Sequence, residues 1–255
     1  MIIRIIRADI HWLIFYFFIF LSWVFVLFAS QSDADIESFQ SIYGAEFWKD
    51  LCGPVNGFED FGPLFLMWII MSGAMMMPTL IPTLRTYQDL IHGGTGTSVG
   101  FLLISFGFFM IWFGYSIVIA LLQALFSEQN FVNSDGQFIN PSLTILVLVS
   151  AGLYQFSKFK DACASKCRAP LTFFMEFWAP GSRQSYKMGL RVGLSCLGCC
   201  WMLMLLAFVG GTMSLAFMGL TTMIMILEKL PDLGHYISKP LGYVLIMSAG
   251  LNLVI

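Results

Sequence analysis
The chain has 255 residues, of which 58% are hydrophobic and only 11% charged, with a mean hydropathy of +0.81 and a net charge of −2. Soluble domains carry about 25% charged residues, so this composition excludes an ordinary water-soluble fold and points to an integral membrane protein. Nor is there a basic excess for binding nucleic acid.

The first apolar run, about residues 11–29, follows Arg4 and Arg7. It is long for the core of a cleaved signal peptide and reads as an uncleaved first span. An acidic segment, 30–61, comes next. In it Ile36, Phe39, Tyr43 and Phe47 recur at steps of three and four, which predicts a short amphipathic helix on the outer membrane surface. Cys52 has no second cysteine on that side, so no structural disulfide is expected. Further apolar runs occupy about 63–84, 98–126, 141–156, 188–208, 211–227 and 240–255, and a basic loop fills 157–187. Each is near the ~20 residues that cross ~30 Å of hydrocarbon.

These runs predict an all-α transmembrane bundle, a single integral membrane domain of about seven spans. With the N-terminus cytoplasmic and the C-terminus periplasmic, every basic residue except Lys49 falls on the inner side. That asymmetry is the positive-inside pattern of a bacterial inner membrane protein. In this reading no Asp, Glu, Lys or Arg lies deep within a span. His11, His92 and His235 all sit away from span centres, which argues against haem. The last span has no lysine beyond Lys239 for a retinal Schiff base. No nucleotide-binding loop or catalytic triad pattern is present, so no enzyme is expected.

Sulfur is the chemistry that remains. Cys196, Cys199 and Cys200 share one helix face at about 100° per residue, and Met204 continues the stripe. Met67, Met71 and Met75 form a ladder at steps of four, and 12 of the 16 methionines lie in 67–77 and 188–225. Thiolates and thioethers select soft ions such as Cu(I). Cysteine and methionine also serve as plain packing residues, so the same stripes fit a helix interface. Pro78 and Pro82 each remove a backbone donor and free the carbonyl four residues earlier, which predicts a bent inner half of the second span. Cys163 and Cys167 share a face of the basic loop, with Lys160, Lys166 and Arg168 nearby to favour thiolate. Gly189 and Gly193 form a small-xxx-small pair suited to close helix packing.

Three stretches carry a resemblance: Trp68-Ile-Ile-Met71-Ser-Gly-Ala-Met75-Met76-Met77-Pro78, Lys160-Asp-Ala-Cys163-Ala-Ser-Lys-Cys167-Arg168-Ala-Pro170, and Gly189-Leu-Arg-Val192-Gly193-Leu-Ser-Cys196-Leu-Gly-Cys199-Cys200-Trp201-Met-Leu-Met204. With Glu228-Lys229 they make residues 63–230 resemble a bacterial family of predicted metal-binding integral membrane proteins. The resemblance implies metal binding. Members of that family often have histidine where Val192 stands, so this chain lacks that imidazole one turn before Cys196.

The reading that joins these features is a membrane protein that binds a soft ion, Cu(I) foremost, for transport or delivery. Its ligands are Cys196, Cys199, Cys200, Met71, Met75 and Met204, with Cys163 and Cys167 taking or giving the ion at the cytoplasmic face. Its partners are the bilayer and a metallochaperone or other membrane subunits. The alternative is a non-catalytic subunit of a larger membrane complex.

Overall fold
The computed structural model describes residues 2–29, 58, 61–133, 135–179, 181–212, 214–231 and 233–254; side chains of 2–9, 28, 29 and 254 are not described. The expected surface helix of 36–47 and Cys52 lie outside these residues. Among the described residues the chain is helical, apart from one isolated bridge between Val132 and Phe138.

The elements are α1 (Ile2–Ala29), α2 (Phe61–Met76), a 3₁₀ turn (Pro78–Leu80), α3 (Ile81–His92), α4 (Ser98–Glu128), α5 (Pro141–Gln155), α6 (Lys158–Arg168), α7 (Pro170–Phe177), α8 (Ser182–Leu205), the single turn α9 (Ala207–Gly210), α10 (Leu215–Glu228) and α11 (Gly234–Val254). Local chemistry sets several starts. The Thr97 hydroxyl accepts from Gly100 N at 3.0 Å before α4, and Asn140 Oδ1 accepts from Ser142 N at 2.9 Å ahead of α5, with Pro141 preset for a first turn. Ser157 Oγ accepts from Lys160 N at 3.1 Å at the start of α6.

Pro78 breaks α2 where the sequence places a bend. The Ala74 carbonyl it frees accepts Trp23 Nε1 from α1 at 3.0 Å, and the Thr79 hydroxyl donates to Met76 O at 2.7 Å. Thus the break carries its own hydrogen bonds and docks α1 onto α2. The two helices run antiparallel, with His11 Nε2 and Gln88 Oε1 2.8 Å apart at the far end of the pair. α2 and α4 are also antiparallel, joined by Trp68 Nε1 donating to Gln123 Oε1 at 2.7 Å and by the Ser72 and Ser116 hydroxyls at 3.1 Å.

The closest helix pair is α4 with α8, and it runs parallel. Gly189 lies against Ile104, and Gly193 lies against Phe108 and Ile111. A Cβ at Gly107 would sit 2.5 Å from the Tyr186 carbonyl oxygen and 3.0 Å from Leu190 N. Backbone meets backbone here, which is what small residues at four-residue spacing permit. The register puts Cys196 opposite the middle of α4.

α1 over Ile10–Leu27, the bent unit Phe61–His92, α4, and α8 with α9 are long and apolar enough to cross a membrane. α5 and α6, bent by 62° at their junction, make a fifth candidate if taken as one broken span. Among the described residues four or five candidate spans meet this measure, where the sequence predicts seven. α5 has 15 residues and α10 has 14, giving about 22 Å and 21 Å of helix against ~30 Å of hydrocarbon. Both stop at the level of the cysteines. The Tyr154 hydroxyl near the end of α5 donates to Gly198 O, and Lys229 at the end of α10 reaches Cys196. α6 then folds across those two ends and covers them with protein.

Candidate metal centre
Cys196, Cys199 and Cys200 are all buried on α8, each 3% exposed or less. Cys199 Sγ donates to Cys196 O at 3.1 Å and lies 3.2 Å from Cys200 Sγ. Met204 continues this face, also buried. No thiol of the group is bridged, as the poor disulfide geometry of neighbouring helix positions requires.

Cys163 and Cys167 are not a separate surface pair. α6 packs on α8 so closely that a Cβ at Gly198 would lie 2.6 Å from Cys163 Sγ. The Cys167 thiol interacts with the thiol of Cys199. Cys167 of α6 therefore joins the three cysteines of α8, and Cys163 lies beside them against Gly198. Of the three basic side chains expected near the loop thiols, Lys166 interacts with Cys163, while Lys160 and Arg168 have other partners. Lys160 Nζ binds both carboxylate oxygens of Glu228 at 2.8 and 2.9 Å and also meets Gln155 Oε1. Arg168 Nε donates to Glu228 O at 2.8 Å and its terminal nitrogen to Ser238 Oγ at 3.3 Å.

Met71 and Met75 are buried in α2, about two turns and one turn before the Pro78 break. What ties this segment to the thiols is Thr79 of the 3₁₀ turn, whose Oγ1 is 3.8 Å from Cys196 Sγ. Between them sits a residue that the sequence reading placed in an inner loop. Lys229 Nζ donates to Thr79 Oγ1 at 2.7 Å and to Cys196 Sγ at 2.8 Å, and the residue is only 4% exposed. Lys160 and Glu228 are buried as well. The sequence reading expects no charge deep within a span; these three charged side chains are buried at helix ends, where α5, α6 and α10 meet beside the thiols. The signal available in sequence was Glu228-Lys229 directly after an apolar helix too short to cross. At a helix C-terminus the carbonyl ends favour cations, so Lys229 and the Lys160 partner of Glu228 suit that position.

Among the described residues no three His, Cys, Asp or Glu side chains are arranged as a ready metal cage. The donor set is nonetheless soft: thiols of Cys167, Cys196, Cys199 and Cys200 with the thioether of Met204 on the same stripe. Sulfur of this kind suits Cu(I) rather than hard divalent ions. A family model described as PpoB2, copper chaperone, matches residues 65–252. The chain belongs to the PpoB2 copper chaperone family. No curated protein and no solved structure matches it. The matched stretch includes both thiol groups, the methionine ladder, the Pro78 break and Lys229, so the buried sulfur cluster lies wholly within the matched residues.

Proposed function
We propose that this member of the PpoB2 family is a copper carrier of the bacterial inner membrane, not an enzyme, which holds Cu(I) among buried sulfurs and delivers it to a partner protein. Of Cys196, Cys199 and Cys200 two supply thiolates and the third a neutral thiol, and Met71, Met75 and Met204 supply thioethers. Cys163 and Cys167 pass the ion between this cluster and the cytoplasmic face, on the side where the N-terminus also lies. The observation that carries the reading is the burial of Cys196, Cys199, Cys200 and Met204 on one face of α8 with Cys167 of α6 beside them.

The test is copper retention by protein purified in mild detergent, loaded with Cu(I) under reducing conditions and desalted. Cys196→Ser with Cys200→Ser should reduce retained copper to background while the protein still inserts. Met71→Leu with Met75→Leu should weaken retention without abolishing it, since volume is kept and sulfur lost. Wild-type protein that stays copper-free after loading would overturn the carrier and leave the sulfur stripes as helix packing.

A further inference from the structure
Lys229 is the one feature of the cluster that copper chemistry does not ask for. A lysine side chain buried to this degree needs an anion or a full set of acceptors, because desolvation of an isolated ammonium is costly. Its two contacts are Thr79 Oγ1 at 2.7 Å and Cys196 Sγ at 2.8 Å. Neither is a carboxylate: the nearby Glu228 is held by Lys160. Among the fully buried charges around the sulfurs, Lys160 and Glu228 form a neutral pair and Lys229 is one additional ammonium, on Cys196; the half-buried Arg168 lies farther out, on Glu228 O and Ser238.

We propose that Lys229 sets the charge selectivity of the sulfur site, its ammonium against Cys196 and Thr79 supplying one fixed positive charge that matches a monovalent soft ion on two thiolates. The proposal rests on the copper-carrier reading and adds a role for a residue outside the ligand set. The charge count is simple. Two thiolates with Cu(I) or Ag(I) carry one negative charge, which Lys229 balances. Two thiolates with Zn(II) or Cd(II) are already neutral, and the ammonium then leaves one positive charge unbalanced in a water-poor interior. Charges at contact distance interact strongly there even at an effective dielectric of about 20. Soft ligands alone do not exclude Cd(II), which also favours thiolate. The ammonium adds a criterion of charge to the criterion of softness. Thr79 orients it, since the hydroxyl that accepts from Nζ is itself anchored on Met76 O at 2.7 Å.

The experiment compares Ag(I) and Cd(II) as probes on detergent-purified protein, reading metal affinity by competition and, independently, protection of Cys196 from maleimide after denaturing quench. In wild type, Ag(I) should protect Cys196 and Cd(II) at equal concentration should not. Lys229→Met, which keeps the length and removes the charge, should shift the Ag(I)-over-Cd(II) affinity ratio toward Cd(II) by about a hundredfold. Lys229→Arg should keep the wild-type ratio. Equal protection of wild type by both ions would overturn the proposal even if Lys229→Met proves too unstable to purify. An unchanged ratio in Lys229→Met would overturn it while leaving the carrier intact. Failure of wild type to bind either ion would overturn the carrier reading and this proposal together.

Discussion

Glu228→Gln should lower stability by about 3–5 kcal/mol, because it leaves the Lys160 ammonium buried without its counter-charge. Lys160 is 1% exposed, and Glu228 is held from both sides, by Lys160 on its carboxylate and by Arg168 on its carbonyl at 2.8 Å. The same pair is what pins α6 over the ends of α5 and α10, so its loss should also free the Cys163–Cys167 helix. Unfolding in mild detergent, followed by tryptophan fluorescence against temperature, checks the first effect. Faster maleimide labelling of Cys167 under native conditions checks the second. The double variant Lys160→Met with Glu228→Leu should recover most of the lost stability, since an apolar pair of similar volume often replaces a buried ion pair without penalty. A Glu228→Gln protein as stable as wild type, with Cys167 equally shielded, would show that the ion pair does not hold this helix.

Gly107→Val should be as damaging by a different route. A Cβ there meets the Tyr186 carbonyl oxygen at 2.5 Å and Leu190 N at 3.0 Å, both backbone atoms of α8 that no rotamer change can move. The helices must separate along the seam that also includes Gly189 and Gly193. Overpacking commonly costs about 1–3 kcal/mol, and a clash with backbone belongs at or above the top of that range. Gly114→Ala on the same helix is the control. Nothing lies within 4 Å of a Cβ there, so the change should leave stability equal or raise it by up to about 1 kcal/mol. Comparable melting of the two variants would mean that the α4–α8 seam is not tightly packed.

Much of this arrangement was legible in the sequence because it follows from single-helix geometry. Cys196, Cys199, Cys200 and Met204 fall on one face by periodicity alone. Pro78 announces the break, and Gly189 with Gly193 announces close packing. The span count was not legible. Hydropathy registers α5 and α10 as apolar but does not reveal that each ends against protein at the level of Cys196. The buried charges were hidden for the same reason. Glu228 and Lys229 stand just beyond an apolar run, where a loop in water is the natural reading, and only the fold of α6 across that end encloses them. Lys160 and Arg168 likewise looked like neighbours of Cys163 and Cys167, yet pair with Glu228 because α6 turns that face toward α10. The link from Cys167 to Cys199 joins residues of different helices, and no local pattern reports such a contact.

The central claim is that copper in this protein sits among sulfurs alone. Copper-edge X-ray absorption on Cu(I)-loaded wild-type protein under reducing conditions tests it most directly. The account predicts a Cu(I) edge and a first shell of sulfur scatterers only, lost in the Cys196→Ser, Cys200→Ser variant. A first shell containing nitrogen or oxygen from the protein, or a sulfur shell that survives the double substitution, would contradict it.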